Sequence, residues 1–230
     1  MPPLVALVGK PDCGKTTLLE KLIPVLAARG CRVGIIKHHH LPEVELDKPG
    51  KDTWRMKQAG AAGVILATPT GVGVIRDERT DANPLELAAR YFADMDLVLC
   101  EGYKKLVLPK IEVFRSQAHE TPLEPPGRHL IALVSDVPLT RDGDQGLPRF
   151  HPDDVSGVAD FLVNDIIQPW QDDNHGPAAV LSADGRLVPL KNFLRNFLAR
   201  SVKGMVQSLK GCNDAREITL TIHPDRDDTL

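Results

Sequence analysis

Blocks of apolar residues alternate with amphipathic stretches over the first two thirds of the chain. Short apolar runs are typical of buried strands, and apolar positions at three- and four-residue spacing are typical of helices. The first strand, helix and second strand indicate a βαβ unit, which implies parallel pairing and a right-handed crossover. The pattern predicts strands at residues 4–8, 31–37, 63–68, 71–76, 96–101, 110–115 and 130–134, and helices at residues 15–29, 54–59, from Pro84 onward and at 153–167.

The sequence GKPDCGKTT joins the first predicted strand to the first predicted helix. Its pattern, Gly-x4-Gly-Lys-Thr, is that of a phosphate-binding P-loop. Gly9 and Gly14 allow the backbone to turn its N–H groups around phosphate oxygens, at the positive end of the helix dipole. We expect Lys15 to reach the β- and γ-phosphates, Thr16 to bind Mg²⁺ and Thr17 to help hold the α-phosphate. The expected fold class is α/β, a P-loop NTPase with a mostly parallel sheet flanked by helices.

Asp12 and Cys13 complete the set of loop residues predicted to bind the nucleotide. Cys13 is either an oxidation-sensitive thiol or a small residue that fits the loop. The other cysteines, Cys31, Cys100 and Cys212, show no CxxC spacing. Free thiols in a reducing compartment are the natural interpretation of all four.

Acidic residues stand at the ends of two later strands. Glu101 closes the run DLVLCE, and a carboxylate that ends a buried strand is costly without a partner. A strand of this kind carries a carboxylate to the magnesium in P-loop proteins, so Glu101 and Lys15 are the predicted catalytic residues. Asp96, at the start of the same run, is either a functional carboxylate or a turn residue. Asp136 could accept hydrogen bonds from guanine N1 and N2, or form a turn before Pro138.

A polar loop with three histidines follows the second predicted strand. Residues 38–40, together with Glu43, Glu45 and Asp47, could bind a transition metal. They could equally form a polar rim beside the nucleotide, because ligands bind at the carboxyl ends of parallel strands. We hypothesise that Asp47 is a further Mg²⁺ ligand and that this loop responds to the γ-phosphate.

Composition narrows the class of protein. The 230 residues are 42% hydrophobic and 26% charged, with a net charge of −3. Without a long basic run, binding to nucleic acid has little electrostatic support. No apolar stretch approaches the ~20 residues of a membrane span, and no signal-peptide pattern is present. We therefore expect a cytoplasmic protein that binds neither membrane nor nucleic acid.

The last quarter of the chain differs in pattern from the rest. It predicts a small ββαβ extension, which is short for an independent core. The Asp184-Gly185 pair is a hairpin signal, and apolar positions from Phe193 to Val202 follow a helical stripe. The predicted domains are residues 1–167 for nucleotide binding, residues 168–177 as a linker and residues 178–230 as the extension.

Five motifs, in this order, resemble those of the molybdopterin-guanine dinucleotide biosynthesis adapter family. They are the P-loop, KHHHLPEVELDKPGKDTWRMKQAGA (37–61), DLVLCEGYK (96–104), PKIEVFR (109–115) and ALVSD (132–136). The family carries a basic residue and histidines after the second strand, and Lys37, His38 and His40 match them. The resemblance covers residues 1–167. The PDC filling of the loop departs from the commoner small polar residues, and the C-terminal extension is similar only to that of longer bacterial members.

The resemblance implies binding of GTP with Mg²⁺, weak GTP hydrolysis, a homodimer and partnership with the guanylyltransferase that joins GMP to molybdopterin. Contact with molybdopterin itself is a further expectation. No general base or arginine finger is evident in the sequence, which predicts slow turnover, at ~10⁻⁴ to 10⁻² per second. Two other functions remain open at this point: a P-loop kinase acting on a small metabolite, and a metal-insertion GTPase chaperone that uses the histidines.

Overall fold

The structure is a computed structural model, and it divides into two compact units, residues 1–168 and 169–230. It describes residues 1–39, 46–78, 80–123, 129–139, 141, 144, 146–173, 179–183, 186–188, 190–213, 215 and 218–221. Of the residues predicted to matter, His40, Glu43, Glu45 and the Asp184-Gly185 pair lie outside these ranges.

The first unit contains every strand and helix predicted for it, with bounds that differ by a few residues. Its strands are β1 (Leu4–Val8), β2 (Val33–Lys37), β3 (Gly63–Thr68), β4 (Gly71–Arg76), β5 (Leu97–Glu101), β6 (Lys110–Phe114), β7 (Leu130–Ser135) and β8 (Arg149–Phe150). Its helices are α1 (Lys15–Ala28), α2 (Asp52–Gln58), α3 (Pro84–Tyr91) and α4 (Val155–Phe161), the last continued by a π-helical turn, Leu162–Ile167.

Six strands form one sheet in the order β2-β5-β1-β6-β7-β8, and every neighbouring pair is parallel. The prediction that β1 pairs with β2 is therefore wrong, because β5 lies between them. Burial explains the order: all five residues of β1 and the first four of β5 are buried, whereas β2 alternates and lies at the edge. Wholly apolar strands occupy the middle of a sheet that is covered on both faces.

Helices cover the two faces of this sheet. On one face α1 and α4 pack against β1 and β5, with Leu22 and Leu26 fully buried. On the other face Ala88 of α3 packs against Ala6 and Val98. Alternate residues of β1 and β5 contribute to the two clusters, as a doubly covered sheet requires. This arrangement leaves the carboxyl ends of the strands, with their loops, on one edge.

Strands β3 and β4 form a separate antiparallel hairpin, as their spacing predicts. Register pairs Ile65 with Val74 and Ala67 with Val72, so these four apolar residues share one face. That face is exposed: 67% of Ile65 and 68% of Val72 are accessible. The other face includes the half-buried Val64 and also Leu66, which is 54% exposed.

Helix α5 (Gln168–Asp173) begins at the last residue of the first unit and occupies the start of the segment whose composition indicates a linker. An antiparallel pair follows, β9 (Leu181–Ala183) with β10 (Arg186–Val188), and then α6 (Asn192–Gln207). The strand predicted at residues 217–222 is absent where the structure describes it, at 218–221. Leu220 there is 65% exposed, so alternation alone, without a pairing partner, does not form a strand. No helix among the described residues is long and apolar enough to cross a membrane.

Candidate functional site at the carboxyl edge of the sheet

The loop from Gly9 to Thr17 leaves the carboxyl end of β1 and enters α1. Lys15 folds back over it, and its Nζ donates to the carbonyl oxygens of Gly9 at 3.2 Å and Lys10 at 2.8 Å. The ammonium is thus held at the mouth of the loop by two carbonyls, which an anion can replace. Asp12 is exposed and adopts a φ of 57°, a left-handed turn conformation that Asp tolerates better than most residues.

Both glycines of the motif are required by their surroundings. A Cβ on Gly9 would collide with the Val113 carbonyl oxygen of β6 and with the Cys13 sulfur. Gly14 caps α1 with a φ of 90°, which other residues strongly disfavour. The loop therefore packs directly against β6 and starts α1 without a side-chain cap, which leaves the first N–H groups of that helix available.

Cys13 is buried, with its Sγ 3.5 Å from Lys15 Nζ. Burial raises the pKa of the Cys13 thiol in spite of the neighbouring ammonium. The neutral thiol is a weak nucleophile, so the interpretation of Cys13 as a small residue that fits the loop is favoured.

Thr16 and Glu101, the two residues at this edge predicted to bind Mg²⁺, lie in direct contact. Thr16 Oγ1 donates to Glu101 Oε1 at 3.0 Å, and Lys37 Nζ lies 3.5 Å from the same oxygen. The Glu101 side chain is 13% exposed. A hydroxyl beside a carboxylate is a donor set that hard divalent cations prefer. Asp96 lies at the opposite end of the β5 segment, where its Oδ2 accepts from the Arg32 amide at 2.7 Å, so its role is structural.

The histidine loop is described only at His38, His39 and from Leu46 onward, which includes the predicted metal ligand Asp47. Asp47 Oδ1 accepts from the Lys48 amide at 2.8 Å, and no hydrogen bond or ion pair links Asp47 to Thr16 or Glu101 within the described chain. Over the same residues, no group of three His, Cys, Asp or Glu side chains is arranged to hold a metal ion.

His38 has a different partner from those considered in the sequence. Its Nε2 lies 3.0 Å from both carboxylate oxygens of Asp81, and its ring rests 4.7 Å from that of Tyr103, between centroids. Burial raises the pKa of Tyr103 to about 12, so its hydroxyl is protonated at neutral pH. Asp81 lies between the β3–β4 hairpin and α3, so this contact ties the end of β2 to the segment that leaves the hairpin.

Asp136 follows β7, and Ser116, just after β6, holds its carboxylate. The Ser116 amide donates to its Oδ1 at 2.8 Å and the Ser116 hydroxyl to its Oδ2 at 3.0 Å. Burial opposes ionisation of Asp136, but these hydrogen bonds, assisted by the charge of Arg115, leave its pKa lower than usual. The carboxylate faces a cavity of about 360 Å³. Leu133, Ser135–Leu139 and Arg149–His151 line this cavity.

The segment after β6 also contacts the Gly9–Thr17 loop, which the sequence patterns did not reveal. His119 Nε2 lies 2.5 Å from the Pro11 carbonyl oxygen, and Lys10 Nζ donates to Thr121 Oγ1 at 2.9 Å. Arg115 reaches Gly14 in the same region. The sequence places Arg115 at the end of a predicted strand. It does not show that this strand lies beside β1, which is what brings Arg115 to the loop.

The sheet has six parallel strands and is covered by helices, and a glycine-flanked loop follows β1 in its interior. These features define a P-loop NTPase-like α/β protein. The family described as molybdopterin guanine dinucleotide synthesis protein B, or MobB, matches residues 4–136. The chain belongs to this family.

Similar proteins agree with this assignment. The molybdopterin-guanine dinucleotide biosynthesis adapter protein of Escherichia coli is 43% identical over 168 residues, which cover 71% of this chain and 93% of that protein. The Haemophilus influenzae protein of the same name is 37% identical, over 76% of this chain and 92% of its own. The crystal structure of Bacillus subtilis MobB superposes with a TM-score of 0.58 at 28% identity, over 71% of this chain and 98% of that one.

Proposed function

We propose that this protein is a GTP-binding adapter with weak GTPase activity that assists the guanylyltransferase of molybdopterin guanine dinucleotide biosynthesis. Membership of the MobB family and the names of its relatives support the pathway. The geometry of the Gly9–Thr17 loop supports the nucleotide. The proposal rests above all on one observation: at the Gly9–Thr17 loop, Lys15 Nζ bonds the loop carbonyls and the next residue, Thr16, bonds Glu101.

The residues present fit a magnesium nucleotide. Lys15 would exchange its two carbonyl partners for phosphate oxygens, and the uncapped N–H groups of α1 would donate to the phosphates. Thr16 and Glu101 would hold Mg²⁺, which neutralises phosphate charge when bound. Lys37 Nζ, 3.5 Å from Glu101 Oε1, adds a positive charge beside this pair. Asp47 is retained only as a hypothetical outer partner, since it makes no described contact with these residues.

The cavity beside Asp136 supports guanine as the base. It opens at the carboxyl ends of β7 and β8, on the same edge of the sheet as the Gly9–Thr17 loop. Each Asp136 oxygen already accepts one hydrogen bond from Ser116 and keeps a further lone pair. A carboxylate oriented in this way can accept from guanine N1 and N2, whereas adenine offers no such pair of donors.

The exposed face of the β3–β4 hairpin supports a homodimer. Ile65, Ala67, Val72 and Val74 present a contiguous apolar surface, which a second copy of the hairpin can cover by the same residues in a two-fold arrangement. A dimer, rather than a single chain, would then bind the guanylyltransferase together with its molybdopterin.

Two measurements test the proposal. Isothermal titration of the full chain with GTP and ATP in Mg²⁺ should give binding of GTP and much weaker binding of ATP. Affinity capture with the tagged chain should retain the guanylyltransferase from a mixture of purified proteins. A chain that binds no nucleotide, or that phosphorylates a small metabolite stoichiometrically, contradicts the adapter assignment.

A further inference from the structure

Arg115 lies beside the Gly9–Thr17 loop, and its guanidinium has no partner among the residues that the structure describes. It is only partly exposed, and its Nε is buried with no hydrogen-bond partner among the described residues. No ion pair of Arg115 occurs in that part of the chain either. Its charge contributes to the lowered pKa values of Asp136 and Asp153 only as a minor cause, so neither carboxylate satisfies the guanidinium.

The guanidinium lies against the backbone of the loop. A Cβ on Gly14 would be 3.0 Å from Arg115 Nε and 3.6 Å from its Cζ. Gly14 precedes Lys15, whose Nζ covers the mouth of the same loop. The absence of a side chain at residue 14 is thus what allows Arg115 to approach.

Partly buried arginines are normally paired, because the cost of removing a charge from water must be offset by a carboxylate or another anion. In the protein as described, Arg115 has no such anion. The adjacent Gly9–Thr17 loop is the place where the proposed function puts a polyphosphate. Guanidinium groups suit phosphate oxygens particularly well, because their N–H groups match the spacing of two oxygens.

We propose that Arg115 is a phosphate-binding residue, which neutralises the negative charge of a nucleoside polyphosphate from the β6 side of the loop. The inference rests on the proposed function and adds to it a cation supplied within the same chain. Since β6 pairs directly with β1, the end of β6 is the nearest strand end on that side from which a side chain can reach the loop.

The test compares four full-length proteins: the natural chain, Arg115→Gln, Arg115→Lys and Arg32→Gln. Arg32 is a matched control, because it is an exposed arginine beside the start of β2, at the opposite edge of the sheet, where it pairs with Asp94. Each protein is titrated with GTP and with inorganic tripolyphosphate in Mg²⁺, and its thermal unfolding is recorded. Tripolyphosphate isolates the phosphate interaction from any contact with the base or ribose.

We expect Arg115→Gln to weaken the binding of GTP and of tripolyphosphate by the same factor, about 10- to 100-fold. This is the size expected for the loss of a charge-assisted hydrogen bond. Arg115→Lys keeps the charge but lacks the planar guanidinium with its several donors, so its affinities should be intermediate. Arg32→Gln should bind both ligands like the natural chain. Unchanged binding by Arg115→Gln, or weakening of GTP alone, refutes the inference. So does an equal loss in both Arg115 variants together with lower thermal stability, which indicates a structural role. Failure of the natural chain to bind either ligand instead refutes the proposed function on which the inference depends.

Discussion

Thr16 Oγ1 and Glu101 Oε1 lie 3.0 Å apart, although 85 residues separate them in the sequence. Parallel pairing of β1 with β5 brings them together, because Leu7 is in register with Glu101. The strand that carries the carboxylate is therefore adjacent to the strand that leads into the loop. Any cation held by these two oxygens would also join the carboxyl ends of β1 and β5.

Replacement of Lys15 by Ala should abolish retention of GTP and leave the fold intact. Its Nζ contacts only carbonyls and a thiol, so no buried partner is left charged. We expect the affinity for GTP to fall at least about 100-fold, measured by titration calorimetry. Lys21→Ala, on the same helix but paired with the exposed Asp153, is the control and should bind normally. Retained GTP affinity in Lys15→Ala would rule out this role of the loop.

Glu101→Gln should remove the benefit of magnesium rather than the binding of GTP as such. The amide can still accept from Thr16, so thermal stability should change little, but the negative charge that attracts Mg²⁺ is lost. GTP affinity in Mg²⁺ should then fall to the value measured with EDTA. Glu20→Gln, an exposed change on α1, should respond to Mg²⁺ as the natural chain does. A magnesium response that persists in Glu101→Gln places the cation elsewhere.

The double change Ile65→Ser with Val72→Ser should convert a dimer into a monomer. Both side chains are more than half exposed, so their loss costs the isolated chain little stability, whereas a covered interface loses apolar contact. Light scattering after size-exclusion chromatography gives the mass directly. Val107→Ser, at another exposed apolar position, is the control and should leave the mass unchanged. A natural chain that is monomeric at all concentrations tested contradicts the dimer.

Arg141→Met should destabilise the first unit strongly. Arg141 bonds Glu112 at 2.9 Å and Asp144 at 2.6 Å, and both carboxylates are only 1% exposed. Its removal leaves two buried acids without their cation, which typically costs about 3–5 kcal/mol in the free energy of unfolding. Arg32→Met, which breaks an exposed pair with Asp94, should cost no more than about 1 kcal/mol. Urea unfolding of both variants measures the difference, and similar losses would show that burial of the pair is not decisive.

Asp136 should stabilise the fold in a pH-dependent manner. Its pKa is lower in the folded state than in the unfolded chain, so the ionised carboxylate stabilises the protein above the ordinary carboxyl pKa of about 4. This contribution is lost as the pH falls through the lowered value. Asp136→Asn should therefore be less stable than the natural chain at pH 7, with a gap that closes below pH 4. Urea midpoints at pH 7, 5 and 3.5 provide the comparison, and a gap independent of pH would exclude an ionic origin.

The sequence predicts local structure well, because strands and helices follow from periodicity. It also predicts Thr16 and Glu101 as ligands of one cation, but their contact depends on which strand lies beside β1. It does not predict that β5 separates β1 from β2, since order within a sheet depends on which apolar runs are most deeply buried. That order decides which loops meet, so the approach of Arg115 to Gly14 and of Asp81 to His38 is invisible before the strands are placed. Asp47 illustrates the opposite case. It lies in a polar loop, where no strand pairing fixes its position, and the structure describes no contact between Asp47 and the other predicted metal ligands.

The strand order of the sheet also affects how the chain folds while the ribosome synthesises it. Leu4 of β1 pairs with Val98 of β5, and Ala6 pairs with Lys110 of β6, so both neighbours of the first strand are synthesised about a hundred residues later. Long-range pairings of this kind are slow to form. While the ribosome makes the hairpin and α3, the run LVALV has α1 to pack against but neither of its native strand partners, so its backbone hydrogen bonds wait for β5 and β6.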